Sequence, residues 1–163
     1  MRYDFTKNGL NEWLYYQDEN NKSRPLPMAE LNSMTQKQYD GWQQFATKLR
    51  DFALIIKKEL DLTIDSSKIT SSFRSKERNA KCEGSIYSKH YTHWAIDIQD
   101  HDKKIANLLL KLNKKQDLKQ KFVIHNLRFI IDYKEYNIVH IQDLDFSDKS
   151  KMVFSKKEQK FLI

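Results

Sequence analysis

Behind Thr35, apolar side chains recur at Tyr39, Trp42, Phe45, Leu49, Phe52, Ile56 and Leu60, in the steps of three and four that mark one face of a helix. The spacing predicts a long amphipathic helix over 36–60, opened by a capping box between Thr35 and Gln38. So regular an aromatic stripe reads as a face packed on a core rather than as a cofactor box. Ahead of it, residues 19–33 hold both prolines, Pro25 and Pro27, among polar side chains. They read as an irregular connection from a short N-terminal helix.

Beyond the long helix the period shortens. Residues 68–73 are β-compatible, Ser75 is placed to cap a short helix through Ala80, and 94–98 alternate as a strand does. Asp102 then precedes Ile105, Leu108, Leu109 and Leu112 at helical spacing. Three runs, 122–124, 127–133 and 138–141, are rich in β-branched and aromatic residues and separated by polar turn residues, which predicts an antiparallel sheet. Past Phe146 the chain is rich in lysine, with Met152, Val153, Phe154, Phe161, Leu162 and Ile163 as apolar anchors, and no internal repeat is evident. The pattern as a whole predicts one α+β domain over 1–163, helices packed on a small antiparallel sheet. Residues 1–34 form an N-terminal extension in this reading, and 146–163 a basic C-terminal tail.

Composition narrows the picture. A length of 163 residues suits a single domain, given a usual size of about 100–150. The hydrophobic share of 39% supplies enough apolar surface to fold despite a charged fraction of 31%. A net charge of +7 attracts polyanions, but nucleic acid, acidic lipid and anionic wall polymers all meet that description. Cys82 is the sole cysteine, which excludes an internal disulfide and a cysteine-rich zinc cage. Any metal must then be held by histidine and carboxylate. No apolar run has signal-peptide length or approaches the about 20 residues of a membrane span, so the expectation is a monomer made in the cytoplasm without a span.

Candidate chemistry lies in the second half of the chain. His90 and Asp97 are seven apart, a step that on a helix would separate their backbones by about 10 Å, too far for one ion. With Asp97 on the strand 94–98, Trp94, Ile96 and Ile98 take one face and Asp97 the other. On the strand 138–141, Ile138 and His140 share a face with Gln142, so His140 can point across toward Asp97. Two histidines and one carboxylate would leave a fourth tetrahedral position for water, as catalytic zinc sites do. Taken singly, a hydrogen-bonded core histidine and a salt-bridged aspartate remain the ordinary readings.

SSFRS at 71–75, then Asn79, then EGSIYSKHYTHWAIDI at 83–98 and YNIVHIQ at 136–142 resemble, in order, the motifs of the murein-cleaving zinc peptidases. That family includes D-alanyl-D-alanine carboxypeptidases and dipeptidases and the L-alanyl-D-glutamate endopeptidases of phage lysins. Its pattern runs S-G-Y-R-S, an asparagine, a pair of small residues, S-x-H-x-x-G-x-A-x-D, and a late strand carrying a histidine. Arg74 matches the first motif, Ser88, His90, Ala95 and Asp97 the middle one, and His140 the last, over roughly residues 35–142. The resemblance implies a fold like that of the Hedgehog signalling domain and the DD-peptidases, with Zn2+ held by His90, Asp97 and His140. It implies that Arg74 binds a substrate carboxylate or carbonyl and stabilises developing negative charge, and that Ser88 hydrogen-bonds substrate. The substrate it implies is the peptidoglycan stem peptide, cut at a terminal D-alanine or at the L-alanyl-D-glutamate link. A lysin of phage type, acting at the cell wall after passing a separate membrane pore or carried in a virion, is the expected setting.

Two positions depart from that pattern. Asn137 stands where the family has a Glu or Asp general base, three residues before the last histidine, and an amide cannot accept a proton from water. Glu135 is the nearest substitute, with Asp132 and His125 further candidates. A displaced base, a chain engineered to trap substrate, and a relative that keeps zinc without catalysis all fit that change. His93 stands in place of glycine, as a substrate contact or as a fourth ligand that would close the catalytic position. Two rivals to a peptidase follow: a zinc-bearing binding or structural module of the same fold, and a nucleic-acid-binding domain. The latter would bind with strong salt dependence and no metal, and no motif for it is present, so nucleic acid is not expected as a partner.

Overall fold

The computed structural model describes residues 3–131, 137–143 and 151–163. The chain opens with 3-10 turns at Lys7–Glu12, interrupted by left-handed Asn8 (φ 58°) and Gly9 (φ 68°), where a short helix was expected. Strands β1 (Tyr15–Gln17) and β2 (Ser23–Pro25) then form an antiparallel hairpin, followed by α1 (Met28–Leu31). The segment 19–33 is therefore more ordered than its prolines suggest. The Asp18 carboxylate accepts from the backbone N–H groups of Asn20 and Lys22 (both 2.9 Å) and closes the hairpin turn. Pro25 sits on a two-stranded ribbon, where a missing N–H disturbs no continuous ladder.

Helix α2 spans Gln36–Leu60, the range its periodicity predicts. Its capping box forms as expected: Thr35 Oγ1 accepts from Gln38 N–H (3.1 Å) and Gln38 Oε1 accepts from Thr35 N–H (2.8 Å). Left-handed Asp61 (φ 50°) ends it. Trp42, Phe45, Leu49, Phe52 and Ile56 are all completely buried along one face.

There follow β3 (Ile69–Ser71), α3 (Lys76–Lys81), α4 (Lys89–Thr92), β4 (Trp94–Gln99), α5 (Lys104–Leu109), α6 (Gln116–Ile124), β5 (Leu127–Ile131), β6 (Ile138–Asp143), β7 (Val153–Ser155) and β8 (Lys160–Phe161). The last sheet has six strands in the order β3-β4-β6-β5-β7-β8. The sheet is mixed rather than antiparallel throughout, because β7 runs parallel to β5. Burial of Met152 and Val153, together with a bond from Phe129 N–H to the Met152 carbonyl (2.8 Å), holds that strand beside β5.

Two local expectations change. Residues 122–124 belong to α6, since Leu118 and Phe122 lie four apart and both turn inward. Asp100, not Asp102, serves the start of α5: its carboxylate accepts from Ile105 N–H (3.0 Å) and Ala106 N–H (2.9 Å), with left-handed Lys103 (φ 57°) bringing the chain round to it.

Register gives the sheet two distinct faces. Trp94, Ile96 and Ile98 of β4, Val139 and Ile141 of β6, and Leu127 and Phe129 of β5 share the face covered by α2. Phe129 packs on Phe52 of α2 and Phe122 of α6 (centroids 5.6 and 5.1 Å), and Lys48 of α2 pairs with Asp143 at 2.9 Å. Ser71, Asp97, His140 and Ile130 align in one row on the opposite face. Gly41 lets α2 approach β4: a Cβ there would fall 1.9 Å from the Trp94 ring, whose Nε1–H donates to Gln38 O (3.2 Å). Gly41→Ala is therefore expected to destabilise the fold by about 1–3 kcal/mol despite alanine's better helix propensity, as read from a urea melt.

Candidate metal centre

The site is built on the row opposite α2. Asp97 and His140 are direct cross-strand partners, a position in which side chains on one face meet. His140 Nδ1 lies 2.7 Å from Asp97 Oδ1. The third member comes from α4, where His90 Nε2 approaches Asp97 Oδ2 at 3.2 Å. The two imidazole rings stand edge to face with centroids 5.1 Å apart. His90 and His140 are buried, at 4% and 5% exposure, while Asp97 is half-buried and opens the group to one side.

Each ring is oriented by its second nitrogen. The Ser72 carbonyl, 2.9 Å from His90 Nδ1, can only accept, so Nδ1 carries the proton and Nε2 turns its lone pair toward Asp97. His140 Nε2 lies 3.1 Å from the Gln142 amide, and its Nδ1 faces the Asp97 carboxylate, which can only accept. Burial pushes His90 below the usual histidine range, against the pull of the Asp97 charge. Burial alone would raise Asp97, but the two imidazoles outweigh it and hold the carboxyl far below the usual carboxylate range. Two imidazoles and a carboxylate thus converge, a donor set suited to a cation.

The ligand atoms of His90, Asp97 and His140 all lie within 4.8 Å of one another, and among the described residues this is the group of metal-binding side chains that forms. Tetrahedral zinc, with bonds of about 2.0–2.1 Å, separates its ligand atoms by about 3.3 Å, close to the 3.2 Å between His90 and Asp97, while the 2.7 Å contact of His140 with Asp97 would have to open to admit an ion. His93 ends α4 outside this group, its ring against Trp94 (5.9 Å) and its Nδ1 2.9 Å from Thr92 Oγ1. His125 is also outside it, 3.4 Å from Asp51 of α2.

Arg74 stands beside His90 and contributes to keeping its ring neutral. Its Nε–H donates to Ser71 Oγ (3.1 Å) and one terminal nitrogen donates to Asn79 Oδ1 (3.4 Å). Among the described residues no carboxylate lies within ion-pairing distance of it, Glu77 included. Buried Asn79 also donates to the Ser85 carbonyl (3.0 Å), mooring the loop that leads to α4. Gly84 suits that close passage, because a Cβ there would strike Asn79 Oδ1 at 2.1 Å. A cavity of about 330 Å³ is lined in part by Thr35, Phe73, Arg74, Glu77 and Tyr91.

Ser88 precedes α4 with its carbonyl accepting from Thr92 N–H (2.8 Å), while its hydroxyl makes no capping bond. Asn137 enters β6 in the left-handed region (φ 49°), its carbonyl accepting from Asp100 N–H (2.6 Å). Glu135 and Asp132 lie outside the described residues. Sequence reasoning left Ser71, the Ser72 carbonyl and Gln142 without roles. Gln142 was within reach of it, two residues from His140 on the same strand face; a main-chain carbonyl leaves no such signal.

A family model described as Peptidase M15 matches residues 25–132, two thirds of the chain and the segment that carries Arg74, His90 and Asp97. No curated protein and no solved structure matches the chain. Among the described residues no helix is long and apolar enough to cross a membrane.

Proposed function

The chain belongs to the M15 peptidases, a family of zinc-dependent metallopeptidases, and from that premise we propose that it hydrolyses a peptide bond of the peptidoglycan stem peptide with His90, Asp97 and His140 as zinc ligands. The observation that carries this reading is the convergence of two buried imidazoles and a carboxylate, their ligand atoms within 4.8 Å of one another. When bound, zinc in a three-ligand set of this kind supplies a Lewis acid and lowers the pKa of a water at the open position.

The remaining tasks fall to the chain itself. Arg74 presents a permanently charged fork beside the metal group, suited to a substrate carboxylate or to a carbonyl oxygen gaining negative charge. The cavity at Arg74 is where we place the substrate backbone, and Ser88 and His93, which flank α4 outside its lining, keep their proposed roles as substrate contacts on the resemblance alone. Both terminal D-alanine removal and cleavage at L-alanyl-D-glutamate fall within the proposal. A role as a lysin of phage type draws support from the +7 charge, which favours retention on anionic wall polymers.

Asn137 favours a second reading, a module that binds zinc without turnover, because its amide accepts no proton. Incubating the zinc-loaded protein with purified peptidoglycan, with and without chelator, and following new amino groups by mass spectrometry separates the two. Chelator-sensitive release supports the peptidase, and the masses identify the bond. Tight zinc with no release supports the second reading. Loss of release in Glu135→Gln, with zinc retained, would make Glu135 the displaced base.

A further inference from the structure

We propose that the cavity between the N-terminal 3-10 turns, β1 and residues 64–66 is a second binding site, one that takes a lysine-type alkylammonium side chain of a peptide. The inference goes beyond the peptidase reading and does not depend on it, since no residue of the metal centre lines this cavity.

The cavity has a volume of about 280 Å³ and is lined by Glu12, Trp13, Tyr15, Ile64, Asp65 and Ser66. Two segments distant in the chain build it, and hydrogen bonds hold them in place. The Ser23 hydroxyl donates to the Ser66 carbonyl and fixes residues 64–66 against the β1–β2 hairpin. The Tyr15 carbonyl accepts from Ser72 Oγ (2.7 Å), which ties β1 to the segment after β3. The apolar part of the lining is two aromatic rings and an isoleucine, with Trp13 and Ile64 only 5% and 8% exposed.

Each segment adds a carboxylate to that apolar lining. Asp65 Oδ1 accepts from the Ser67 N–H (3.0 Å) and the Ser67 hydroxyl, which leaves Oδ2 uncommitted, and Glu12 ends the 3-10 turns. Among the described residues neither acid has a cation within ion-pairing distance, in a chain that carries 29 Lys and Arg against 22 Asp and Glu. A third group lacks a partner. The Trp13 indole N–H has no acceptor among the described residues, yet unlike that of Trp42 it is not sealed from solvent. An indole so enclosed ordinarily finds an acceptor, and the cavity Trp13 lines is where a ligand would supply one.

These groups select the chemistry of the occupant. Aromatic faces and carboxylates together favour an organic cation, whose methylenes lie on the rings and Ile64 while the ammonium meets Glu12 and Asp65. An amide carbonyl on the same molecule satisfies the Trp13 donor, which makes a lysyl residue of a peptide the fitting class. A purely apolar ligand would strip water from two carboxylates with nothing in return. A hard metal ion would need a shell of oxygens, and Glu12 and Asp65 belong to no group of metal-binding side chains among the described residues.

The test is a titration of the 15N-labelled full chain with Nα-acetyl-lysine methylamide, following the three tryptophan indole N–H resonances. Trp42, sealed in the core, and Trp94, bonded to Gln38 O, are the internal controls. Expected is a saturable shift of Trp13 alone, with a dissociation constant on the order of 1 mM, and none with the neutral norleucine analogue. The double variant Glu12→Gln, Asp65→Asn should weaken binding by about fivefold or more, while asparagine keeps an oxygen for the Ser67 turn. An equal response to the norleucine probe, undiminished affinity in the double variant, or no saturable shift with the lysine probe would each overturn the proposal. Should the double variant not fold, the two probes on the wild-type chain decide between them.

Discussion

Replacing His140 with alanine is expected to lower zinc affinity by more than about 100-fold and to remove hydrolysis with it, and His90→Ala should do the same. The magnitude follows from comparison, since loss of an outer hydrogen-bond partner already costs 10–100-fold and loss of a ligand must exceed that. With one imidazole gone, a two-ligand remnant is left, too few to hold zinc against water. Metal content after gel filtration and chelator competition give the direct readout, with peptidoglycan release as the second. His101→Ala is the control, because that histidine is exposed and outside the group. Full zinc retention by either ligand variant would refute the assignment.

Arg74→Ala is expected to lower kcat by about 10²–10³ while zinc content stays at one equivalent, the effect of removing one preorganised donor from a developing oxyanion. Arg74→Lys should recover little of it, since an ammonium cannot bond to Ser71 and Asn79 while offering a second donor to substrate. The measurement belongs near pH 8. The Arg74 charge helps to lower the pKa of His90, so its removal lets His90 hold a proton to somewhat higher pH, and acidic buffer would mix metal loss into the result. A drop in zinc content that parallels the drop in kcat at pH 8 would reassign Arg74 to metal retention.

Much of the architecture could be read from periodicity because burial follows it closely. Helix α2 shows this best, with a stripe that repeats over 25 residues and a cap of paired side chains, both local signals. The meeting of Asp97 and His140 was legible in part for the same reason: alternation fixes the face, although it leaves the partner strand open. What local signals missed was set at a distance. Residues 122–124 have the composition of a strand, yet packing of Phe122 against Phe52 and Phe129 draws them into α6. The tail's apolar residues gave no direction, and β7 pairs in parallel with the edge of β5 that β6 leaves open. Asp100 outcompetes Asp102 because left-handed Lys103 turns the chain, a conformation lysine rarely advertises. At the site, the order of motifs located Arg74, His90, Asp97 and His140, whereas the bonds that aim their rings come from a main-chain carbonyl and a neutral amide, neither of which carries a compositional mark.

His90 is tethered twice to the segment after β3, through its ring to Ser72 and through its own carbonyl, which accepts from Arg74 N–H (3.1 Å). Folding alone therefore freezes the approach of α4 to the sheet, and little configurational entropy is left to lose when an ion arrives. Capture should then proceed close to the speed of cation desolvation, and discrimination among divalent ions would rest on coordination preference rather than on loop rearrangement.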